Sequence, residues 1–318
     1  MRTLDRLTFV LPAFDEAANL DQLIPRILAQ QSLARELRIV VVDDNSHDGT
    51  FDVVRRWSLQ DPRVGGIRLA RNCGSHMAML SGLSRAKADA VIVLASDGQD
   101  PPEFAGQLVG EWQAGAQIVW AVRSSRDSAS LTTRLFSRLY FAAMNKWSIV
   151  RLPPEGADFF LLDRLVVDAI SELPERNTSV IALIAWLGFR QVEVPYTKEA
   201  RLAGRSKWTL AKKLQITFDS IFSFSTLPLR FVRWLGFLYA ILGFAYAATL
   251  AANWLSSGRL FGGLPVQGWS ALMVVLLISS GTMLFVLAII GEYLWRTLEE
   301  VRSRPRFIVE EAIERNLD

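Results

Sequence analysis

The chain has 318 residues, 51% hydrophobic and 21% charged, with a mean hydropathy of +0.23, which excludes a disordered chain and is more apolar than an ordinary soluble enzyme. Its 35 Lys and Arg against 32 Asp and Glu leave a net charge of only +3, no electrostatic footprint for nucleic acid. Cys73 is the only cysteine and His47 and His76 the only histidines, so an intramolecular disulfide, a zinc finger and an iron–sulfur cluster are excluded and any metal rests on oxygen ligands.

From the N-terminus, Met1 to Arg6 lead into a strand-like run interrupted by Pro12 and Asp15, with no signal-peptide pattern. Short apolar runs at Leu7–Leu11, Arg38–Val42, Gly66–Leu69, Ala90–Ala95 and Gln117–Val122 are expected as strands. Helical patterns at about Ala17–Gln30, Thr50–Leu59, His76–Ala86 and Glu103–Ala114 fall between them. Strands spaced by helices predict a mostly parallel sheet in an α/β domain. Ligands of such sheets bind outside the carboxyl ends of the strands.

The residues just past those ends are acidic and polar: Phe14-Asp15-Glu16 after the first, Asp43-Asp44-Asn45-Ser46 after the second, and Ser96-Asp97-Gly98-Gln99-Asp100 after the fourth. Joint placement on one rim favours function for Asp44 and Asp97. For Asp48, Asp100 and Glu103, capping or turn duty is at least as strong a reading. The chain lacks a Gly-rich dinucleotide loop and a P-loop lysine motif, so a nucleotide here is held through base, ribose and a metal-bridged diphosphate.

Farther on, Leu131–Val150 and the stretch from Trp208 to Phe218 interleave apolar and basic residues as interfacial amphipathic helices do, or as helices packed inside the domain do. Trp234 to Gly258 is 25 residues without a charge and Leu260 to Gly291 another 32; each exceeds the roughly 20 residues needed to cross a bilayer. Arg230 and Arg233 precede the first run and Arg296, Arg302, Arg304 and Arg306 follow the second, against Arg259 alone in the connection. This pattern places both ends on the cytoplasmic side of an inner membrane. The expected organisation is a cytosolic domain over 1–225, two spans within 226–295 (about 232–256 and 266–291) and a cytosolic tail over 296–318.

Leu11-Pro12-Ala13-Phe14-Asp15-Glu16, Val41-Val42-Asp43-Asp44-Asn45-Ser46-His47-Asp48-Gly49-Thr50, Asp97-Gly98-Gln99-Asp100-Pro101-Pro102-Glu103, Arg201-Leu202-Ala203-Gly204-Arg205-Ser206-Lys207-Trp208 and Gly291-Glu292-Tyr293-Leu294 stand in that order over nearly the whole chain. Together they resemble the family-two glycosyltransferases of the GT-A fold, and within them the polyisoprenyl-phosphate glycosyltransferases. The resemblance implies a Rossmann-like α/β domain that transfers a single sugar, with inversion, from a nucleotide-sugar to a polyprenyl phosphate such as undecaprenyl phosphate. It places Pro12, Phe14, Glu16, Val42, Asp44, Ser96 and Asp97 at the nucleotide, and Asp97 and Gln99 at a Mg2+ or Mn2+ ion. Arg123, Arg201, Arg205, Ser206 and Lys207 fall at the diphosphate or the lipid phosphate, and Asp158 at the position of the catalytic base.

One departure stands out: the Asp-x-Asp pair usual in this family is halved, because Ala95 occupies the first position. Magnesium often relies on one or two carboxylates plus phosphates and waters, so the departure predicts weak metal binding without nucleotide rather than none. Two other readings stay open, a membrane-tethered sugar-nucleotide-binding protein without catalysis and a processive polysaccharide synthase, although the Gln-x-x-Arg-Trp element of such synthases is missing. Uridine is favoured over guanosine by analogy, the sugar is open, and two spans leave a lipid-facing surface able to pack against copies of itself.

Overall fold

A computed structural model describes residues 2–124, 158–173, 179–199, 227–255 and 269–313. It comprises two compact units, one of residues 1–220 with 303–318 and one of residues 221–302. In the first, β1 (Arg6–Ala13), β2 (Glu36–Asp43), β3 (Val64–Leu69) and β4 (Ala90–Val93) form the parallel centre of a sheet completed by β5 (Ile118–Arg123), β6 (Phe160–Asp163), β7 (Gln191–Tyr196) and β8 (Val309–Ile313), in the order β7-β5-β6-β4-β1-β2-β3-β8. Connecting helices α1 (Ala17–Leu28), α2 (Thr50–Gln60), α3 (Ser75–Arg85) and α4 (Ala105–Gln113) match the expected segments, the last preceded by a 3-10 turn at Pro102–Phe104. Strands covered on both faces have no solvent side, which is why Phe9–Leu11 and Ile39–Val42 are continuous apolar runs, fully buried.

Three strands were not expected. β6 (Phe160–Asp163) lies antiparallel between β4 and β5 (Ile118–Arg123), and β7 (Gln191–Tyr196) runs parallel to β5 at the edge. Helices α5 (Arg164–Glu172) and α6 (Val180–Trp186) come after β6, and α5 opens where Asp163 accepts from the Leu165 amide. Within the segment expected as a tail over 296–318, β8 (Val309–Ile313) adds antiparallel to β3. Its Glu311 and Glu310 pair with Arg55 and Arg68. The alternation of Val309, Glu311 and Ile313 with more exposed neighbours is that of a half-covered edge strand.

Helix α3 crosses close over β1 and β2 because position 82 is glycine. A Cβ there would collide with Val10 Cγ1 and sit 3.0 Å from Val42 Cγ2. Both neighbours are β-branched and buried in central strands, so neither yields easily. Gly82→Ala is expected to destabilise by about 1–2 kcal/mol, overpacking outweighing the helix-propensity gain of about 1 kcal/mol. Chemical denaturation of wild type and variant checks the sign.

In the second unit, α7 (Leu227–Leu255) and α8 (Trp269–Val301) each contain a stretch long and apolar enough to cross a membrane, Leu229–Tyr246 and Ile278–Val301. Their apolar side chains face outward, with Phe244 78% and Leu284 68% exposed. Tyr239 and Thr282 join the two helices through a hydroxyl hydrogen bond of 2.9 Å, and Phe231 meets Phe285 edge-on. The two helices carry the expected apolar runs. The amphipathic segments over 131–150 and 208–218 lie outside the described residues.

Candidate active site

Strand direction builds the site. The parallel strands β1, β2, β4, β5 and β7 bring their carboxyl ends to one rim, and antiparallel β6 delivers its amino end there, because Phe160 pairs with Val93 and with Trp120. Phe14 to Glu16, Asp44, Ser96 to Asp100, Arg123, Asp158 and residues 196–198 therefore emerge along a single edge. The strand order reverses between β1 and β4, the crevice where such sheets hold nucleotides.

On the β1–β2 side, the rim is knitted by side chain to backbone contacts. The Asp15 amide donates to Ser46 Oγ (2.8 Å), the Glu16 amide to Thr50 Oγ1 (2.9 Å) and the His47 amide to Asp15 Oδ1 (2.9 Å). These bonds hold two non-glycine residues, Asp15 and Asn45, at φ of 49° and 62°, a left-handed geometry that persists only where its surroundings over-determine it. Asp48 accepts from the amides of Ala17 and Thr50, a turn and cap role. Phe14 is partly exposed, with its ring edge-on to His47 at 6.5 Å. Glu16 precedes α1 and its carboxylate accepts from the Asn19 side-chain Nδ2.

Asp44 is buried, and each of its carboxylate oxygens receives a backbone N–H ahead of α3, from Cys73 at 2.6 Å and from Gly74 at 2.8 Å. It fixes the start of that helix. Its neighbour Asp43 is wholly buried, accepts from the Ser46 amide and faces Arg68 at 3.3 Å. Burial raises the Asp43 carboxyl above its ordinary range, against the Ser46 bonds and Arg68. Val42 is fully buried with Cγ2 turned to α3 at Gly82, since alternate residues of β2 face alternate helix layers.

On the β4 side, Ser96 is buried and donates to the Pro12 carbonyl at 2.8 Å, clasping the two strands that flank the crevice. Asp97 and Gln99 are partly exposed, and the Gln99 amide closes a turn on Asp97 Oδ1 (3.1 Å) around Gly98, at φ 70°. Asp100 is wholly buried. One of its oxygens takes the Tyr196 hydroxyl and faces Lys198 Nζ at 3.4 Å, while Oδ2 is buried without a hydrogen-bond partner among the described residues. Burial raises its carboxyl, opposed by Lys198 and Tyr196 and reinforced by Asp158 and Asp97. Burial and Asp100 likewise push the Tyr196 phenol far up, so it stays a donor. Glu103 pairs with Arg26 on α1 at 2.8 Å, an ion pair between helices and not a cap.

Arg123, at the end of β5, reaches Asp158 at 3.8 Å and also contacts Tyr196. His76, in the first turn of α3, lies within electrostatic reach of Asp158. Burial lowers its pKa against the pull of that carboxylate, and its Nδ1 is buried without a hydrogen-bond partner among the described residues. The rim thus groups Asp97, Asp100, Asp158, Arg123, Tyr196, Lys198 and His76. The reading from sequence did not single out Tyr196, Lys198 or His76. Tyr196 closes β7, whose Gln191-Val192-Glu193-Val194-Pro195-Tyr196 sequence alternates as an edge strand does instead of forming an apolar run, and Lys198 follows it by two residues. Arg201, Arg205, Ser206 and Lys207 lie outside the described residues.

An all-oxygen donor set of one carboxylate, Asp97, and one amide, Gln99, fits a hard divalent cation that keeps waters and takes its remaining ligands from phosphate. Ala95 adds nothing to it.

The chain is 36% identical to an uncharacterized glycosyltransferase, sll0501, of Synechocystis sp. (95% of this chain, 94% of that one), and 33% identical to the SfII prophage-derived bactoprenol glucosyl transferase of Shigella flexneri (96% and 98%). Among solved structures it is similar to a mannosyltransferase of Pyrobaculum calidifontis in complex with GDP-Man and Mn2+, at 17% identity and a TM-score of 0.47 over 96% of this chain and 89% of that one. Residues 8–170 match the family described as Glycosyl transferase family 2. With a mixed α/β sheet whose acidic rim lies at its strand ends, and with relatives above 30% identity along nearly its full length, the chain belongs to glycosyltransferase family 2 and has the GT-A fold.

Proposed function

We propose that this glycosyltransferase moves one sugar from a UDP-sugar to a polyprenyl phosphate at the cytoplasmic face of a membrane, inverting the anomeric carbon. The observation that carries the reading is the meeting of Asp97, Arg123 and Asp158 on one rim, in a chain with two outward-apolar helices. The name of the Shigella relative, a bactoprenol glucosyl transferase, supports the same acceptor class. The chain leaves the catalytic unit after Ser220 and rejoins it at Ser303. Two crossings return it to its starting side, in keeping with the arginines that flank the helices.

In this reading, the crevice between β1 and β4 takes the nucleoside beside Phe14, and the loop from Asp97 to Gln99 faces the diphosphate. Asp97 and Gln99 would hold the divalent cation, which when bound offsets the charge that develops on the departing diphosphate. Asp158 and Arg123 face the acceptor side. Arg123 offers a planar cation to the lipid phosphate, and Asp158 holds the acceptor in line and takes its residual proton.

Full-length protein with undecaprenyl phosphate and labelled UDP-sugars is expected to form a lipid product carrying one sugar. EDTA is expected to abolish the transfer and Mg2+ or Mn2+ to restore it. Calorimetry without nucleotide is expected to show metal binding no tighter than millimolar. Long saccharides would indicate a processive synthase, UDP binding without product would indicate a binding protein, and tight metal binding to the empty protein would contradict the halved metal site.

A further inference from the structure

The three residues after β7 form a strap pinned across the loop that succeeds β4. The Glu199 amide donates to the Gln99 carbonyl at 2.8 Å, and Arg26 grips both Glu199 and Glu103, at 3.2 and 2.8 Å. Lys198, between these anchors, is held with its side chain only 13% exposed and Nζ 3.4 Å from Asp100. An ammonium carries three donors. The Asp100 oxygen it faces is shared with the Tyr196 hydroxyl, and among the described residues no second partner takes the other two.

Charge at this place is unbalanced in a particular way. The rim carries the carboxylates Asp97, Asp100 and Asp158, while Arg123 is turned to Asp158 and Tyr196. With Ala95 in the loop and Asp100 buried, Asp97 is the one partly exposed carboxylate from Ser96 to Asp100, so a divalent cation there would take a single carboxylate from this loop. A departing nucleoside diphosphate gains negative charge there and needs a second, fixed cation.

We propose that Lys198 is that cation: its ammonium, aimed by Asp100 and the Glu199–Gln99 strap, meets the donor's diphosphate beside Asp97. The assignment rests on the proposed nucleotide-sugar donor and adds the residue that binds its leaving group. As a bland alternative, the Lys198–Asp100 pair only latches the strap.

Titration calorimetry of the full-length protein with UDP and UMP, in excess Mg2+, separates the two. Lys198→Met is expected to weaken UDP by about 10- to 100-fold and UMP by less than about threefold, and Lys198→Arg to restore most of the loss. Because Lys198→Met leaves the Asp100 carboxylate buried without its counter-charge, the double variant Lys198→Met with Asp100→Asn is measured alongside and is expected to fold and show the same selective loss. An unchanged ratio of UDP to UMP affinity in the folded double variant overturns the assignment. Wild-type protein that binds neither UDP nor GDP overturns the donor reading and the assignment with it.

Discussion

Replacing Asp158 with Asn is expected to lower kcat by about 100-fold or more while the donor KM moves by less than about threefold. Asp158 stands just ahead of β6, half exposed and 3.8 Å from Arg123, with β4 between its strand and the β1 side of the crevice, so its loss leaves the nucleoside wall formed by β1 and β2 intact. The interest lies in how the deficit varies with pH. A phosphate monoester has its second pKa near 6, so at pH 7.5 only a few per cent of the acceptor retains a proton. If Asp158 served only to remove that proton, the variant would recover as pH rises from 6 to 8, when the acceptor deprotonates unaided. If it holds Arg123 and the acceptor in line, the deficit stays constant over that range. The loose 3.8 Å pairing with Arg123 favours orientation, and a constant deficit is the expected result. Turnover equal to wild type would remove Asp158 from the mechanism.

Much of this site was legible because parallel strands buried on both faces write themselves as apolar runs, so the residue after each run is a rim residue. Asp97 and Gln99 stand out that way, whereas Arg123 enters only through the resemblance. The illegible part depends on partners distant in sequence. Asp100 carries its meaning through Tyr196, 96 residues away, and Asp44 through amides about 30 residues away; neither pairing leaves a local pattern. β6 is four residues long and runs against its neighbours, too short for periodicity to distinguish it from the start of α5. β8 comes after a helix long and apolar enough to cross a membrane, and a charged strand there resembles a tail until its register with β3 is known. Val42 illustrates the converse: the motif that carries the resemblance includes a side chain whose work is holding α3 to the sheet.

The second large effect concerns Asp44. Resemblance assigns it to the nucleotide, whereas its geometry ties it to the backbone of Cys73 and Gly74, and the two assignments predict different losses. Asp44→Ala strips the acceptor from two buried amides and removes a negative charge from the amino end of α3, where the helix dipole favours it. The expected cost is about 2–4 kcal/mol, or a Tm lower by roughly 5–12 °C for a domain of this size. UDP affinity falls with it, because α3 brings His76 toward Asp158 and the freed loop borders the crevice. Asp44→Asn retains one acceptor but presents an amide N–H to the other donor, so it is expected to lose stability almost as severely. A pure nucleotide ligand behaves otherwise: Asp44→Asn would keep the wild-type Tm and lose only UDP. Thermal unfolding of both variants, with UDP titrations below their transitions, decides between a residue that touches the ligand and one that builds the wall against which the ligand rests.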